Sequence, residues 1–199
     1  MHKTSAVVAL ILVALAGTAQ AQDVTQPAAR PARREVSVSL LPMGLGTFTT
    51  QPGGRIATAD AAFNYGLGLH VGYAVLPGLT VGFAPQVSFN VKPKLQGGDG
   101  GQEIDLMVRA AYTRQIVESI ALFVEVLPGF SLIRPSPGDT STGLVLALGA
   151  GTRMALSERA FATFGLGYQV GFQNLPARDG SGEARARYVR VAIGVGTRF

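Results

Sequence analysis

From Glu35 to Phe199 the chain alternates, one residue at a time, between two chemistries, and that period constrains its fold more than any other feature. In the last segment Val189, Val191, Ile193, Val195, Thr197 and Phe199 alternate with Tyr188, Arg190, Ala192, Gly194, Gly196 and Arg198. A strand sends successive side chains to opposite faces. One face here is apolar and β-branched; the other is small or charged. A water-soluble sandwich would line its solvent face with Lys, Glu and Thr. A face of Gly and Ala suits instead the crowded interior of a narrow barrel.

The pattern recurs with apolar sets Phe63–Val75, Leu79–Phe89, Ile104–Tyr112, Ile120–Phe130, Leu144–Met154 and Phe164–Phe172, and more weakly in a first strand near 35–46. That makes eight strands, each near the roughly 9–11 residues of a tilted transmembrane strand. The connections alternate too. Leu76-Pro77-Gly78, Gln115 to Ser119 and Leu156 to Arg159 are tight. Thr49–Ala62, Val91–Gly101, Ile133–Thr142 and Gln173–Ala184 are longer and rich in Gly, Pro and Asp. Short turns on one side and longer loops on the other predict an all-β, eight-stranded, antiparallel up-and-down transmembrane barrel with periplasmic turns and extracellular loops. Hydrocarbon offers no partner to an open sheet edge, so strand one must close on strand eight. In that topology Phe63, Tyr65, Phe89, Phe130 and Phe172 fall at the outer interface and Tyr73, Tyr112 and Phe199 at the inner one, as two aromatic girdles.

The segment before the alternation reads as an export leader. His2 and Lys3 precede an apolar run from Ala6 to Ala16, and Ala19-Gln20-Ala21 offers a small-x-small cleavage site. The run is shorter than the roughly 20 residues of a spanning helix. Residues 1–21 are therefore expected to be a signal peptide, 22–34 a disordered periplasmic lead-in rich in Pro and Arg, and 35–199 the barrel domain, placed in the outer membrane.

Composition excludes several chemistries. With no Cys, the chain has no disulfide, thiolate metal site or cysteine nucleophile. No P-loop, dinucleotide fingerprint or metal-spaced cluster of His and carboxylates occurs, so no cofactor and no metal are expected. The formal charge of +5 comes from scattered Arg and Lys without a basic block, which argues against nucleic acid.

The alternating strands, the leader and the aromatic ending of Val189 to Phe199 resemble small outer-membrane barrels of the OmpA/OmpX and opacity-protein type. The resemblance covers residues 35–199. It implies that Phe199, on the strand Tyr188 to Phe199, is the signal read by the barrel-assembly machinery. No peptidoglycan-binding domain follows the barrel here, so cell-wall tethering does not carry over.

The inward faces carry Glu35, His70, Glu103, Asp105, Arg109, Glu125, Arg153, Arg190 and Arg198. Buried charges persist when paired, so these predict a lumen plugged by a charge network of Asp105, Arg109, Glu125, Arg153 and Arg190. The expected function is a structural or surface-interaction barrel without enzymatic activity. Its partners would be outer-membrane lipids and lipopolysaccharide, the latter through Lys92, Lys94, Arg134, Arg178 and Arg185 in or beside the outer loops. A small pore or hydrophobic-ligand conduit is the alternative. A lipid A-modifying enzyme is a third reading, with His70 as the single His after the leader and Ser88 as the residue that would have to reach it.

Overall fold

The computed structural model describes residues 34–51, 56–94, 100–134, 140–175 and 182–199. Its strands are β1 (Arg34–Gln51), β2 (Ala57–Asp60), β3 (Asn64–Leu76), β4 (Leu79–Val91), β5 (Gly101–Val117), β6 (Ile120–Arg134), β7 (Ser141–Ala155), β8 (Ala160–Leu175) and β9 (Gly182–Arg198). β1 and β3 to β9 pair antiparallel in sequence order, and β1 also pairs β9, which closes an eight-stranded barrel. At the seam Glu35 faces Arg198 and the pairing runs to Gln51 opposite Glu183. Below it, Arg34 and Phe199 exchange both backbone hydrogen bonds at 3.0 Å. The expected leader and almost all of the lead-in lie outside the described residues; Arg34, assigned to the lead-in, starts β1 instead.

The turns between β3 and β4, β5 and β6, and β7 and β8 span residues 77–78, 118–119 and 156–159 and share one end of the barrel with Arg34 and Phe199, here called the turn end. In the first, Pro77 sits at the second turn position and Gly78 at the third with φ 77°. A type II turn asks for that pair. At the other, loop end, the strands run past the expected boundaries: β6 reaches Arg134, β7 begins at Ser141, β8 reaches Leu175 and β9 begins at Gly182. Residues 135–139 and 176–181 are outside the described set.

The first strand departs most from expectation. It is long, not weak, and part of the expected loop Thr49–Ala62 is the added strand β2, which pairs Ala57–Asp60 with Thr47–Thr50. β3 accompanies β1 only up to Met43 opposite Asn64. A bulge between Gly44 and Thr47 marks the handover. Leu45 takes φ 50° there and is 90% exposed. One extra residue shifts the parity of a strand: Leu41 and Met43 are buried before the bulge, and Gly46 is buried after it.

Two prolines interrupt the ladders. Between Gly68–Gln86 and Val71–Phe83 of β3–β4, and between Met107–Gly129 and Ala110–Val126 of β5–β6, residue partners are missing. Pro85 and Pro128 stand in those gaps, each without an N–H to donate. Both gaps hold inward-facing lumen residues, His70 and Arg109.

The outer surface is apolar along every barrel strand. Leu40, Leu67, Phe83, Leu106, Leu122, Leu146, Leu166 and Val195 are all exposed, one from each. A closed belt of this kind is a surface for hydrocarbon rather than water. Among the described residues no helix is long and apolar enough to cross a membrane; the strands do the crossing.

Candidate functional site

The inward face of β5 gives the vertical order of the lumen. From the loop end downward it presents Glu103, Asp105, Met107, Arg109 and Ala111, all buried. On the wall from β4 to β7, Ala84, Met107, Leu127, Val145 and Ala147 pack as one apolar cluster between a loop-end polar group and a turn-end charged one.

The turn-end group is an ion network drawn from six strands. Arg153 of β7 binds Glu35 of β1 in bidentate fashion, Nη1 to Oε2 at 2.9 Å and Nη2 to Oε1 at 3.1 Å. Arg109 of β5 donates Nε to Glu125 Oε2 of β6 at 2.6 Å and places Nη1 3.5 Å from Glu35 Oε1. Arg190 of β9 lies 3.8 Å from Glu125. His70 of β3 brings Nδ1 to 3.5 Å from both Glu35 and Arg109. Four guanidinium groups, counting Arg198, face two carboxylates, and aromatic rings take up the excess. Arg153 and Arg198 lie over Phe161, at 4.3 and 5.2 Å from its centroid, and Arg109 lies 5.7 Å from that of Phe123. Cation–π attraction strengthens when the cation is desolvated.

Space for these side chains comes from glycine. A Cβ on Gly72 would lie 2.6 Å from His70 Cε1, and one on Gly82 would lie 2.8 Å from His70 Nε2. What remains open is a cavity of about 50 Å³ lined by Ser39, His70, Arg109, Glu125, Arg153 and Arg190, among others.

Of the five residues expected to form one network, Arg109, Glu125, Arg153 and Arg190 meet in this group. Asp105 does not; it sits above Met107 and accepts hydrogen bonds from Gln169 Nε2 at 2.9 Å and from Gln86 Nε2. The hub the sequence reading left out is Glu35. Alternation places it inward, but the register that sets it against Arg153 across the barrel is a property of the closed fold. His70, inward by the same alternation, joins the network as well. Ser88 is at the level of Glu103, its partner in the β4–β5 register, while the residue facing His70 on β1 is Ser37.

The girdle candidates all point outward. Phe63, Tyr65, Phe130 and Phe172 are exposed towards the loop end, with Phe89 half-buried against Tyr65 at 5.7 Å between centroids. Tyr73, Phe199 and the half-buried Tyr112 lie towards the turn end. Phe83, Phe164 and Tyr168 are equally exposed between them, so the outward aromatics are not confined to two bands.

A groove of about 500 Å³ opens on the outer surface near the loop end. Ile104, Leu106, Phe130, Leu132 and Leu144 form its apolar lining, and Arg134, Thr142 and Asn174 add polar groups.

No protein-family model matches the chain, and no curated protein matches its sequence. Solved structures match its fold. Neisserial surface protein A superposes with a TM-score of 0.55 over 83% of this chain and 97% of that one, at 12% identity. The outer membrane protein OprG from Pseudomonas aeruginosa superposes with a TM-score of 0.51 over 84% of this chain and 96% of that one, at 17% identity. At such identities the likeness is one of fold. The chain therefore has the fold of the small outer-membrane β-barrels: closed, antiparallel and eight-stranded, with one short strand added.

Proposed function

We propose that this chain is an exported, integral outer-membrane barrel with a closed lumen and a structural and surface-interaction role. The observation that carries the reading is the lumen. Its charges are cross-linked through six strands, and the cavity among them, about 50 Å³, has room for a few waters and no solute. Ala84, Met107 and Leu127 of the apolar cluster form part of its wall. The continuous apolar outer belt supports membrane insertion. In this reading residues 1–21 are the signal peptide, 22–33 the periplasmic lead-in, the turn end is periplasmic and the loop end extracellular.

Planar-bilayer recording of the refolded barrel is expected to show no steady conductance. A steady open current would replace this reading with a small pore. The proposal is also non-enzymatic. His70 is held between Glu35 and Arg109 inside the barrel, away from any surface a lipid substrate reaches.

Two partners follow from the surface. The loop-end groove pairs a bed for an acyl chain with the guanidinium of Arg134, which fits a phosphate-bearing lipid such as lipopolysaccharide. Lys92, Lys94 and Arg185 lie at the same end. The barrel-assembly machinery is the second partner, acting on the terminal strand through Phe199. Co-purified lipid identified by mass spectrometry, reduced by Arg134→Glu, tests the first.

A further inference from the structure

The loop-end half of the lumen is the electrostatic reverse of the turn-end half. Glu103 and Asp105 are wholly buried on one face of β5. Among the described residues, no ion pair joins either to a cation. Arg190 interacts electrostatically with Asp105, but its guanidinium is paired with Glu125.

Each carboxylate uses one oxygen on neutral donors. Glu103 Oε1 accepts from Ser131 Oγ at 3.1 Å, and Asp105 Oδ2 accepts from Gln86 and Gln169. The other oxygens, Glu103 Oε2 and Asp105 Oδ1, are buried without a partner. An ionised carboxylate can accept about four hydrogen bonds, so both carry unused acceptor capacity.

Two hydroxyl oxygens at this level are in the same condition, as are the amides of Asn64 and Gln173. Ser88 is wholly buried, stands opposite Glu103 in the β4–β5 register and has no partner for Oγ. Facing pairs of this kind hold their Cβ atoms roughly 4.5–5.5 Å apart. Tyr188 is wholly buried on β9 opposite Gln169, whose amide already holds Asp105. Its hydroxyl has no partner, and both carboxylates act on the phenol electrostatically. Glu103 reaches far into this space: its Oε1 lies 3.9 Å from where a side chain on Gly171 of β8 would begin.

Native proteins leave few buried polar atoms unpaired, and each such atom needs an explanation, an ion among them. Here the unpaired atoms belong to two carboxyl groups and two hydroxyls, together with the side-chain amides of Asn64 and Gln173, and include no imidazole or thiolate. That donor chemistry selects a hard cation over zinc or copper. Calcium accepts irregular oxygen shells of six to eight ligands, whereas magnesium demands near-octahedral geometry and dehydrates reluctantly. We propose that the Glu103–Asp105 cluster is a calcium-class cation site in the loop-end lumen. Glu103 Oε2 and Asp105 Oδ1 are the anionic ligands, Ser88 Oγ and Tyr188 Oη the neutral ones, and water completes the shell. With two carboxylates, the affinity falls in the weak range of extracellular calcium modules, about 10⁻⁴–10⁻³ M.

The test uses the refolded full-length barrel, chelator-treated, with terbium and calcium as probes. The chain has no Trp, so sensitised terbium emission reports a tyrosine beside the ion. Emission is expected in the wild type, displaced by calcium but not by equal magnesium. It is expected to disappear in Tyr188→Phe and in the double variant Glu103→Gln, Asp105→Asn. Calcium is expected to raise the wild-type Tm and to leave that of the double variant unmoved. Emission that persists in Tyr188→Phe or in the double variant places the ion elsewhere and overturns the proposal. Absence of both emission and a calcium shift in the wild type overturns it as well, leaving a carboxyl pair held by hydrogen bonds alone. Should the double variant fail to fold, the wild-type responses and Tyr188→Phe decide.

Discussion

Arg153 holds Glu35 with both terminal nitrogens, at 2.9 and 3.1 Å, across 118 residues of sequence and from one wall of the barrel to another. The pair is buried, with side chains 6% and 7% exposed. Removing one member of such a pair leaves a charge in a poorly solvating interior, which typically costs about 3–5 kcal/mol. Glu35→Ala is expected to fall in that range, because Arg109 and His70 lose the same carboxylate. Replacing both partners, as Glu35→Gln with Arg153→Met, is expected to cost less than the sum of the single changes. Urea titration of the refolded variants, arranged as a double-mutant cycle, measures the coupling; additivity would show that the pair stabilises nothing.

Gly72 is predicted to resist enlargement for a specific reason. The new methyl of Gly72→Ala would lie 2.6 Å from His70 Cε1 and 2.7 Å from Thr80 Cγ2. Overpacking of this kind costs about 1–3 kcal/mol, against a gain of roughly 0.5–1 kcal/mol for removing a strand glycine. Gly72→Ala is therefore expected to destabilise, and His70→Ala to relieve most of that effect when combined with it. If the combination is as unstable as the two changes summed, His70 is not what the glycine makes room for.

The apolar belt predicts a cost that varies with depth. Leu146 lies midway along β7 and is 40% exposed on the outer face. Leu146→Arg is expected to cost about 2–4 kcal/mol when folding is measured in lipid vesicles, and Thr142→Arg, nearer the loop end, about 0–1 kcal/mol. Equal costs at the two positions would mean that this face does not cross a bilayer.

Phe199 separates assembly from stability. Its backbone, not its ring, makes the two hydrogen bonds to Arg34. Phe199→Ala is expected to refold in detergent with near wild-type stability, yet to reach the outer membrane poorly in cells. Heat-modifiable gel migration of cell envelopes reads the second outcome. Undiminished assembly would remove the recognition role.

Strand number, closure and the inward or outward direction of most side chains were legible in the sequence, because a period of two assigns faces without knowledge of neighbours. The β1 bulge was not: nothing in Gly44-Leu45-Gly46 marks the point where parity changes. β2 was missed for a related reason, since four residues in a turn-rich stretch carry too little pattern. The charged lumen residues were legible as a set but not as groups. Alternation says that Asp105 and Arg109 share a face; only the intervening Met107 and the packing of Leu127 and Ala147 beside it put them in separate hydrogen-bonded groups. Glu35 became the hub through register with strands far away in sequence, and no local pattern encodes that.

The seam between β1 and β9 has a consequence for the order of folding. It joins residues at opposite ends of the barrel sequence, so its loop-closure entropy is the largest of any ladder, and contacts of such separation form slowly. The pairings from β1 through β3 to β9 can form between neighbours in sequence, whereas the β1–β9 seam must wait for both ends. Until the seam closes, Glu35 has no Arg198 beside it and the Arg153 bridge lacks its frame. The ion network and the seam should thus appear in one kinetic step, the last, and variants of Glu35 should accelerate unfolding more than they slow folding.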